Sequence, residues 1–274
     1  MRISKITKHK KYNYRYHIFT DESGGDTYQL TIHEDILIRF SLRKGMEITE
    51  NELNTIKREE AIYRFYTMAI NYLSYRMRSK GEMIRYLKEK EATDDEVKII
   101  IDKLIEEKLL DDLQFSFAFV RSKLNTTSSG PLKIKNDLLQ KGVSPPIIDE
   151  ALSAFPLEEE IKKAAKMIEK KMASNRRKSF KEQKMLLKQS LMQKGFSQEA
   201  IDLAFNEVDI EVEEESEYES LRYQGEKAWT KYSRKHEGYS LKQKVKASLY
   251  QKGFTMDLIN RFIDEKEAEV ESIE

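Results

Sequence analysis

The chain has 274 residues, of which 35% are charged and 39% hydrophobic, and its formal net charge is +1. The absence of cysteine excludes disulfides and thiolate metal sites and fits a reducing cytoplasm. No segment approaches the roughly 20 apolar residues of a membrane span. Only 10 glycines and 4 prolines occur, which argues against an all-β fold with many tight turns. We therefore expect a cytoplasmic, mainly helical protein that does not associate with membranes.

The N-terminal segment, residues 1–55, is predicted to form a small β structure. Residues 12–19 and 27–32 alternate with period two and flank residues 21–26, which contain Gly24-Gly25. This pattern is typical of a β-hairpin, and a third strand is expected at 36–42. A sheet this small is marginal alone, so it should dock on the first helices.

Charge is unevenly distributed along the chain. Residues 1–20 hold six lysines or arginines and no acid, whereas residues 209–219 hold seven acids and no base. A net charge near zero therefore does not exclude nucleic-acid binding, which depends on where the positive charges lie.

The remainder of the chain consists of four related units. Three hexapeptides read almost alike and a fourth is weaker; their first leucines are Leu87, Leu138, Leu191 and Leu249. An apolar residue lies four positions before each leucine, on the same helix face: Met83, Ile134, Leu187 and Val245. Each unit then offers a Ser or Thr suited to cap a new helix: Thr93, Ser144, Ser197 and Thr255. Four residues later an apolar residue marks the buried face of that helix: Val97, Ile148, Ile201 and Ile259.

A longer helix is expected upstream of each pair, at 57–77, 112–124, 157–173 and 217–235, so each unit has three helices. The predicted domains are 56–110, 111–156, 157–210 and 211–274. Stacked units of this kind would form an elongated curved array. The predicted fold is therefore mainly α, with four tandem three-helix repeats and a small N-terminal β-hairpin or sheet.

Glycine ends the second helix in three repeats, at Gly142, Gly195 and Gly253, where a left-handed residue is favoured. Glu91 takes this position in the first repeat. We therefore expect the first repeat to close its turn differently.

Several spaced motifs occur within about residues 60–155. The first is Arg76-Met77-Arg78-Ser79, followed by Glu82-Met83 and Tyr86-Leu87. The second is Leu109-Leu110-Asp111-Asp112, followed by Phe115, Ala118-Phe119-Val120 and Arg121. The third is Gly130-Pro131 with Leu138 and Lys141-Gly142-Val143. Together these motifs resemble those of the RecX family, which usually has glycine where this chain has Glu91. The two later repeats and the N-terminal segment resemble the longer members found in Gram-positive bacteria.

The resemblance implies a negative modulator of the RecA recombinase that binds the RecA–DNA filament. It would limit filament assembly, recombinase activity and coprotease activity in DNA repair, recombination and the SOS response. Single- or double-stranded DNA is the expected weaker partner, and the chain is expected to be a monomer. The rival interpretation is a helical-repeat protein that binds DNA directly, since basic second helices are similar to helix-turn-helix proteins; the acids of 209–219 count against it.

Basic side chains are the candidate contacts with RecA or DNA. The arginines are the stronger candidates, because a guanidinium can hold phosphate or carboxylate with two hydrogen bonds. The candidates are Arg76, Arg78, Lys80, Arg85, Arg121, Lys135, Lys184, Lys188, Lys242 and Lys246. Lys135, Lys188 and Lys246 recur at one repeat position and could form a strip along a phosphate backbone, or simply a solvated surface. Reversal of Arg76, Arg78 and Arg85 to Glu is expected to weaken inhibition without unfolding the protein.

A second set of lysines recurs at the end of each second helix: Lys90, Lys141, Lys194 and Lys252. They could contact a ligand, but a cation in the last turn is favoured by the helix dipole alone, which is the preferred interpretation.

No catalytic or metal-binding constellation is evident. Asp111-Asp112 could be an acid pair, but one of them more simply caps the helix that begins near Leu113. Phe115, Phe119 and Trp229 are expected in the core, with Phe117 freer. The four histidines lack metal-ligand spacing, and no Ser-His-Asp triad or phosphate-binding glycine loop occurs. We expect a protein that is not an enzyme and uses no cofactor or metal.

Overall fold

The computed structural model describes residues 1–22, 24–172, 177–208 and 214–271. The chain forms two compact units, one comprising Met1–Ser116 with Leu139–Ile147 and the other Phe117–Leu138 with Ile148–Glu274. Of the acidic stretch at 209–219, residues 209–213 lie outside the described ranges. No helix in those ranges is both long enough and apolar enough to cross a membrane.

The first unit begins with a three-stranded antiparallel sheet of order β1-β2-β3. Its strands are β1 (Arg2–Lys8), β2 (Arg15–Glu22) and β3 (Gly25–His33), so the predicted hairpin is confirmed. The predicted third strand at 36–42 is wrong. Glu34–Arg39 forms the short helix α1, because the His33 side chain accepts a hydrogen bond from the Asp35 amide and two acids occupy its first turn.

One face of the sheet packs on α1 and on α2 (Glu50–Ser74) around buried isoleucines that include Ile3, Ile18 and Ile32. Docking of the sheet on the first helices is therefore confirmed. Helix α2 begins seven residues before the expected position, because Thr49 and Glu52 form a capping box.

Each of the four repeats contains three helices, as predicted. Repeat 1 consists of α2, α3 (Lys80–Glu89) and α4 (Asp94–Glu106). Repeat 2 consists of α5 (Asp112–Thr126), α6 (Pro131–Gln140) and α7 (Pro145–Leu152). Repeat 3 consists of α8 (Leu157–Met172), α9 (Phe180–Gln193) and α10 (Gln198–Glu207). Repeat 4 consists of α11 (Glu214–Tyr232), α12 (Gly238–Gln251) and α13 (Met256–Glu271).

The recurring apolar positions form the repeat cores. Leu87, Leu138, Leu191 and Leu249 all have a relative exposure of 0%. Their partners four residues earlier are also buried, as are the recurring residues of the third helices. Every third helix begins directly after the predicted Ser or Thr, and Thr93 and Ser197 cap theirs through the hydroxyl oxygen. The repeat periodicity thus comes from burial of one apolar stripe per helix.

The expectation that Glu91 makes the first repeat close differently is wrong. Glu91 adopts φ +68°, and Gly195 adopts φ +85° at the equivalent position. The Glu91 amide donates to Lys88 O and the Ala92 amide to Leu87 O; the Gly195 and Phe196 amides donate to Met192 O and Leu191 O. The two turns therefore have the same pattern of hydrogen bonds. Glu91 adopts the left-handed conformation even though it is strained for a residue with a Cβ.

The other three turns each contact the preceding repeat at the N-terminus of its second helix, and we call this contact a joint. In the first unit Ser79 Oγ donates to Lys141 O at 2.6 Å. In the second unit the Gly130 amide donates to Lys194 O at 2.8 Å, and Ser179 Oγ donates to Lys252 O.

The joints require glycine in the turn. A Cβ at Gly195 would lie 2.3 Å from the backbone nitrogen of Lys133, and one at Gly142 would lie 2.9 Å from Gly81 Cα. Glu91 is exposed, and its turn has no preceding three-helix repeat to contact. Glutamate is therefore tolerated at this one turn.

Candidate interaction surfaces

The basic cluster of the first repeat lies on the loop between α2 and α3. Tyr75 and Met77 are 83% and 49% exposed there, beside Arg76 and Arg78. The loop ends at Ser79, whose hydroxyl oxygen accepts a hydrogen bond from the Glu82 amide and thereby caps α3. This loop therefore presents apolar and cationic side chains together on an exposed surface.

Arg76 is held by Glu82, which is only 9% exposed. Its guanidinium donates to both carboxylate oxygens, at 2.9 Å and 3.3 Å, and Lys141 Nζ lies 2.9 Å from Oε1. Burial raises the pKa of Glu82, but hydrogen bonds from Arg76, Lys141 and Ser79 outweigh it and lower the pKa to about 2. Glu82 therefore links the cap of α3, the basic loop and the joint to the turn at Lys141.

Arg78 is held by aromatic rings. Its guanidinium carbon lies 3.8 Å from the Tyr72 ring centroid, and the Tyr72 and Tyr86 rings stack with centroids 4.0 Å apart. The Nε of Arg78 is buried without a hydrogen-bond partner among the described residues. This cation–π contact fixes the direction of the side chain and is worth roughly 0.5–2 kcal/mol.

Lys80 and Arg85 are exposed on α3 of the same unit. The Lys80 backbone amide donates to Asp112 Oδ1 at 2.7 Å, and Arg85 donates to Gln140 O at 3.0 Å. The structure thus brings together the four predicted first-repeat cations, Arg76, Arg78, Lys80 and Arg85, around one end of α3. Their role as contacts remains a prediction.

The recurring lysines of the second helices have partners on the third helices. Lys135 pairs with Asp149 and Lys188 with Asp202, each at 2.6 Å, and Lys246 donates to Asn260 at 2.8 Å. In all three pairs the partner lies 14 residues later in the chain. These contacts favour the interpretation of a solvated surface over a phosphate-binding strip.

The three other predicted contacts differ in their surroundings. Lys184 Nζ lies 5.2 Å from the Phe205 ring centroid, and Lys242 pairs with Glu267. Arg121 is exposed on α5, and no charged partner within the described ranges contacts it. Among these three cations, Arg121 therefore has the fewest contacts.

The lysines that end the second helices contact groups outside their own last turn in two repeats. Lys141 pairs with Glu82 across a joint, and Lys252 donates to Gln224 Oε1 of its own repeat. The helix-dipole interpretation therefore omitted the main partner of Lys141.

The acid pair is also explained by local structure. Asp111 Oδ1 accepts hydrogen bonds from the Leu113 and Gln114 amides at 2.9 Å, which confirms it as the cap of α5. Burial raises the pKa of Asp112, whose carboxylate accepts a hydrogen bond from the Lys80 amide. No group of three potential metal ligands occurs in the described part of the chain.

Among the aromatic residues, Phe115 is buried as predicted. Phe119 is only partly buried, with Lys123 Nζ 5.2 Å from its ring centroid. Trp229 packs at the edge of the repeat 4 core against Phe262 and is partly buried. The expectation that Phe119 and Trp229 lie in the core is therefore confirmed only in part, because both are half-buried.

Comparisons with known proteins find three-helix domains along the chain. The first, second and third three-helix domains of RecX match residues 66–104, residues 111–152, and residues 158–205 together with 214–263, respectively. The chain is 42% identical to regulatory protein RecX of Oceanobacillus iheyensis, over 96% of this chain and 97% of that protein. The chain belongs to the RecX family. The RecX third-domain model matches twice, so repeats 3 and 4 are two copies of one domain type.

Other RecX proteins also match the chain, over different shares of its length. Regulatory protein RecX of Halalkalibacterium halodurans is 39% identical over 96% of this chain and 99% of its own. A crystal structure of regulatory protein RecX aligns with a TM-score of 0.64 and 32% identity, over 75% of this chain and 99% of that one. RecX from Lactobacillus salivarius aligns with a TM-score of 0.52 and 33% identity, over 54% and 96% of the two chains.

Sequence reasoning missed two parts of the RecX chain that shape these surfaces. Strand β1 was missed because a bulge between Ile3 and Lys5 breaks the period-two alternation. The role of Glu82 was missed because Lys141 lies 59 residues away in the chain. The capping box at Ser79 and Glu82 was a readable signal for the start of α3.

Proposed function

We propose that this protein is a negative modulator of the RecA recombinase that binds the RecA–DNA filament and limits its assembly, recombinase activity and coprotease activity. Membership of the RecX regulatory family carries the proposal. It would act in DNA repair and recombination and in the SOS response, as a binding protein and not as an enzyme.

The joints between repeats are consistent with a regulator that contacts its target at several points. Each joint combines a hydrogen bond from a helix N-terminus to a carbonyl of the turn with close contact between the turn glycine and the first residues of that helix. Such contacts fix neighbouring repeats against each other within each unit. Weak contacts from repeats that are held together add to a high avidity when their spacing matches a repeating polymer.

The rival function, direct DNA binding by the recurring lysines, has less support. Lys135 and Lys188 are paired with carboxylates, and Lys246 is bound to an amide oxygen. Release of counterions from DNA requires cations that are available to phosphate.

The test follows DNA-dependent ATP hydrolysis by RecA on single-stranded DNA while this protein is added in substoichiometric amounts. The proposal predicts inhibition at far fewer copies than one per RecA. Inhibition that appears only when the protein saturates the DNA would support the rival and contradict the proposal.

The structure changes which residues this experiment should alter. Reversal of Arg76 would place a second carboxylate beside buried Glu82, and reversal of Arg78 would break its stack on Tyr72. We therefore expect the triple reversal to destabilise the fold as well as to remove candidate contacts. The better variant changes Lys80, Arg85 and Arg121 to Gln, since all three are exposed.

The matched control removes the same charge from other exposed positions, by changing Lys57, Arg58 and Lys98 to Gln. We expect the first triple variant to need at least about fivefold more protein for half inhibition, equivalent to loss of about 1 kcal/mol. Equal inhibition by both folded triple variants would remove Lys80, Arg85 and Arg121 from the contact surface.

A further inference from the structure

The outer face of the N-terminal sheet carries a row of aromatic side chains. Side chains alternate between the two faces of a strand, and Ile18 and Thr20 of β2 are buried on the core side. His17 and Phe19 therefore lie on the opposite face. The strand register places Phe19 beside Lys5 of β1 and Tyr28 of β3, and His17 beside Thr31.

These rings form one connected cluster. The centroids of Phe19 and Tyr28 are 5.8 Å apart, and those of His17 and Tyr28 are 5.9 Å apart. The cluster continues from His17 to His9 and from His9 to Tyr12, with 4.8 Å between centroids in each step. Five rings from two strands and one loop therefore share a single surface.

Hydrogen bonds hold the rings in place. Thr31 Oγ1 lies 2.7 Å from His17 Nδ1 and 2.9 Å from the Tyr28 hydroxyl. His9 Nδ1 accepts the amides of Lys11 and Tyr12, which fixes Tyr12 beside His9. Side chains fixed in this way lose little conformational entropy when a ligand covers them.

Packing within the chain does not account for this face. A cross-strand pair such as Phe19 and Tyr28 stabilises a sheet only weakly. Tyr28 and Tyr12 nevertheless remain 54% and 53% exposed, while the sheet's core lies on its other face. Clustered exposed aromatic rings are typical of binding surfaces.

The charges around the rings are positive on one side. Lys5 Nζ lies 5.8 Å from the Phe19 ring centroid and Lys11 Nζ lies 5.6 Å from that of Tyr12, and Lys8 and Lys10 are exposed nearby in the chain. Residues 1–20 contain no acid. Asp21 and Asp26 face each other further along the hairpin, two residues beyond Phe19 and Tyr28. A polyanion would therefore be attracted by the lysines at one side of the cluster and repelled by the two aspartates near the hairpin turn.

We propose that this sheet face binds an unpaired strand of nucleic acid, with two or three bases stacked on Tyr12, His17, Phe19 and Tyr28. Every base has a flat face that stacks on aromatic rings, and sheets with exposed aromatics stack about two or three bases. Lys5 and Lys11 would contact the adjacent phosphates. The site is separate from the helical repeats, so it does not depend on the proposed action on RecA.

The test measures binding of the full chain to a fluorescent oligothymidylate of about 15 nucleotides by anisotropy. Oligouridylate and a duplex of the same length are compared at the same salt concentration. We expect either single strand to bind more tightly than the duplex, because paired bases cannot stack on the rings. The tighter of the two single strands identifies DNA or RNA as the ligand.

Tyr28→Ala and Tyr12→Ala are each expected to weaken single-strand binding at least about fivefold, because one stacked base is worth roughly 1–3 kcal/mol. Tyr28→Phe keeps the ring and should bind within about twofold of the unaltered chain. Tyr14→Ala is the matched control, because Tyr14 is 58% exposed but its ring lies near His33, outside the five-ring cluster.

Three results would overturn the proposal: no measurable single-strand binding by the unaltered chain, equal affinity for duplex and single strands, or unchanged binding by Tyr28→Ala and Tyr12→Ala. Photocrosslinking with an oligonucleotide that contains thiothymidine locates the binding site independently of the affinity measurements. Crosslinks within residues 5–31 support the site, whereas crosslinks confined to the helical repeats contradict it.

Discussion

Glu82 is the residue on which most local structure depends in the first repeat. Its carboxylate accepts hydrogen bonds from Arg76, Lys141 and the Ser79 amide. These partners come from a loop, a distant turn and a helix cap, so one side chain stabilises three elements. Hydrogen bonds to an ionised group contribute about 1.5–3 kcal/mol each when they are well formed.

We expect Glu82→Gln to lower the free energy of unfolding by about 1–3 kcal/mol at pH 7, because a neutral amide accepts these bonds less strongly. The folded-state pKa of Glu82 is about 2, below the ordinary value of 4.5 for a glutamate. Its contribution is therefore present above pH 4.5 and is lost as the pH falls toward 2.

Urea unfolding as a function of pH tests this prediction. The stability difference between the unaltered chain and Glu82→Gln should shrink as the pH falls from about 4.5 to about 2. Glu106→Gln, at an exposed position on α4, is the control and should change stability by less than about 0.5 kcal/mol. A difference that stays constant down to pH 2 would contradict the role given to Glu82.

At the scale of residues, the sequence predicts those whose contacts lie close to them in the chain. The buried leucines, the caps at Thr93 and Ser197 and the cap at Asp111 follow from spacing and residue type alone. The partners of Glu82 and the stack of Arg78 on Tyr72 depend on how elements pack. Only the folded chain places those groups together.

At the scale of elements, the turn after each second helix decides how repeats connect. Gly195 packs against the backbone of Lys133, whereas Glu91 adopts the same left-handed backbone on an exposed turn. The third repeat therefore requires glycine at this position, whereas the first repeat tolerates glutamate there.

Gly195→Ala should destabilise the protein by at least about 2 kcal/mol, because it adds left-handed strain and a clash with backbone atoms. Glu91→Gly should stabilise it by about 0.5–1 kcal/mol, because relief of strain exceeds the gain in unfolded-state entropy. Chemical denaturation of both variants measures these changes, and a Gly195→Ala loss no larger than the Glu91→Gly gain would show that the two turns are not distinguished by a joint.

Most helices could be predicted because each repeat carries its own apolar stripe and capping residues. Helix α5 begins at Asp112, as expected, and α8 begins at Leu157, as expected. The errors fall in the N-terminal region, where β-branched residues of α1 suggested a strand and a bulge concealed β1. The joints could not be predicted, because a recurring glycine at a helix end is explained equally well by the turn itself.

At the scale of the molecule, the chain combines a three-stranded sheet with four three-helix repeats, the last two matching one RecX domain type. Joints in both units hold successive repeats through hydrogen bonds from a helix N-terminus to the carbonyl of the lysine that precedes the turn glycine. A regulator assembled in this way would contact several RecA subunits, so few copies would affect a long filament.

Growth of single RecA filaments on tethered single-stranded DNA tests this account most directly. The chain has no cysteine, so Lys98→Cys, at an exposed position on α4, provides one site for a fluorescent label. We predict that growth stops when far fewer labelled chains than RecA subunits are present, with the label located on the filament. Continued growth, with label found only on bare DNA, would contradict the account.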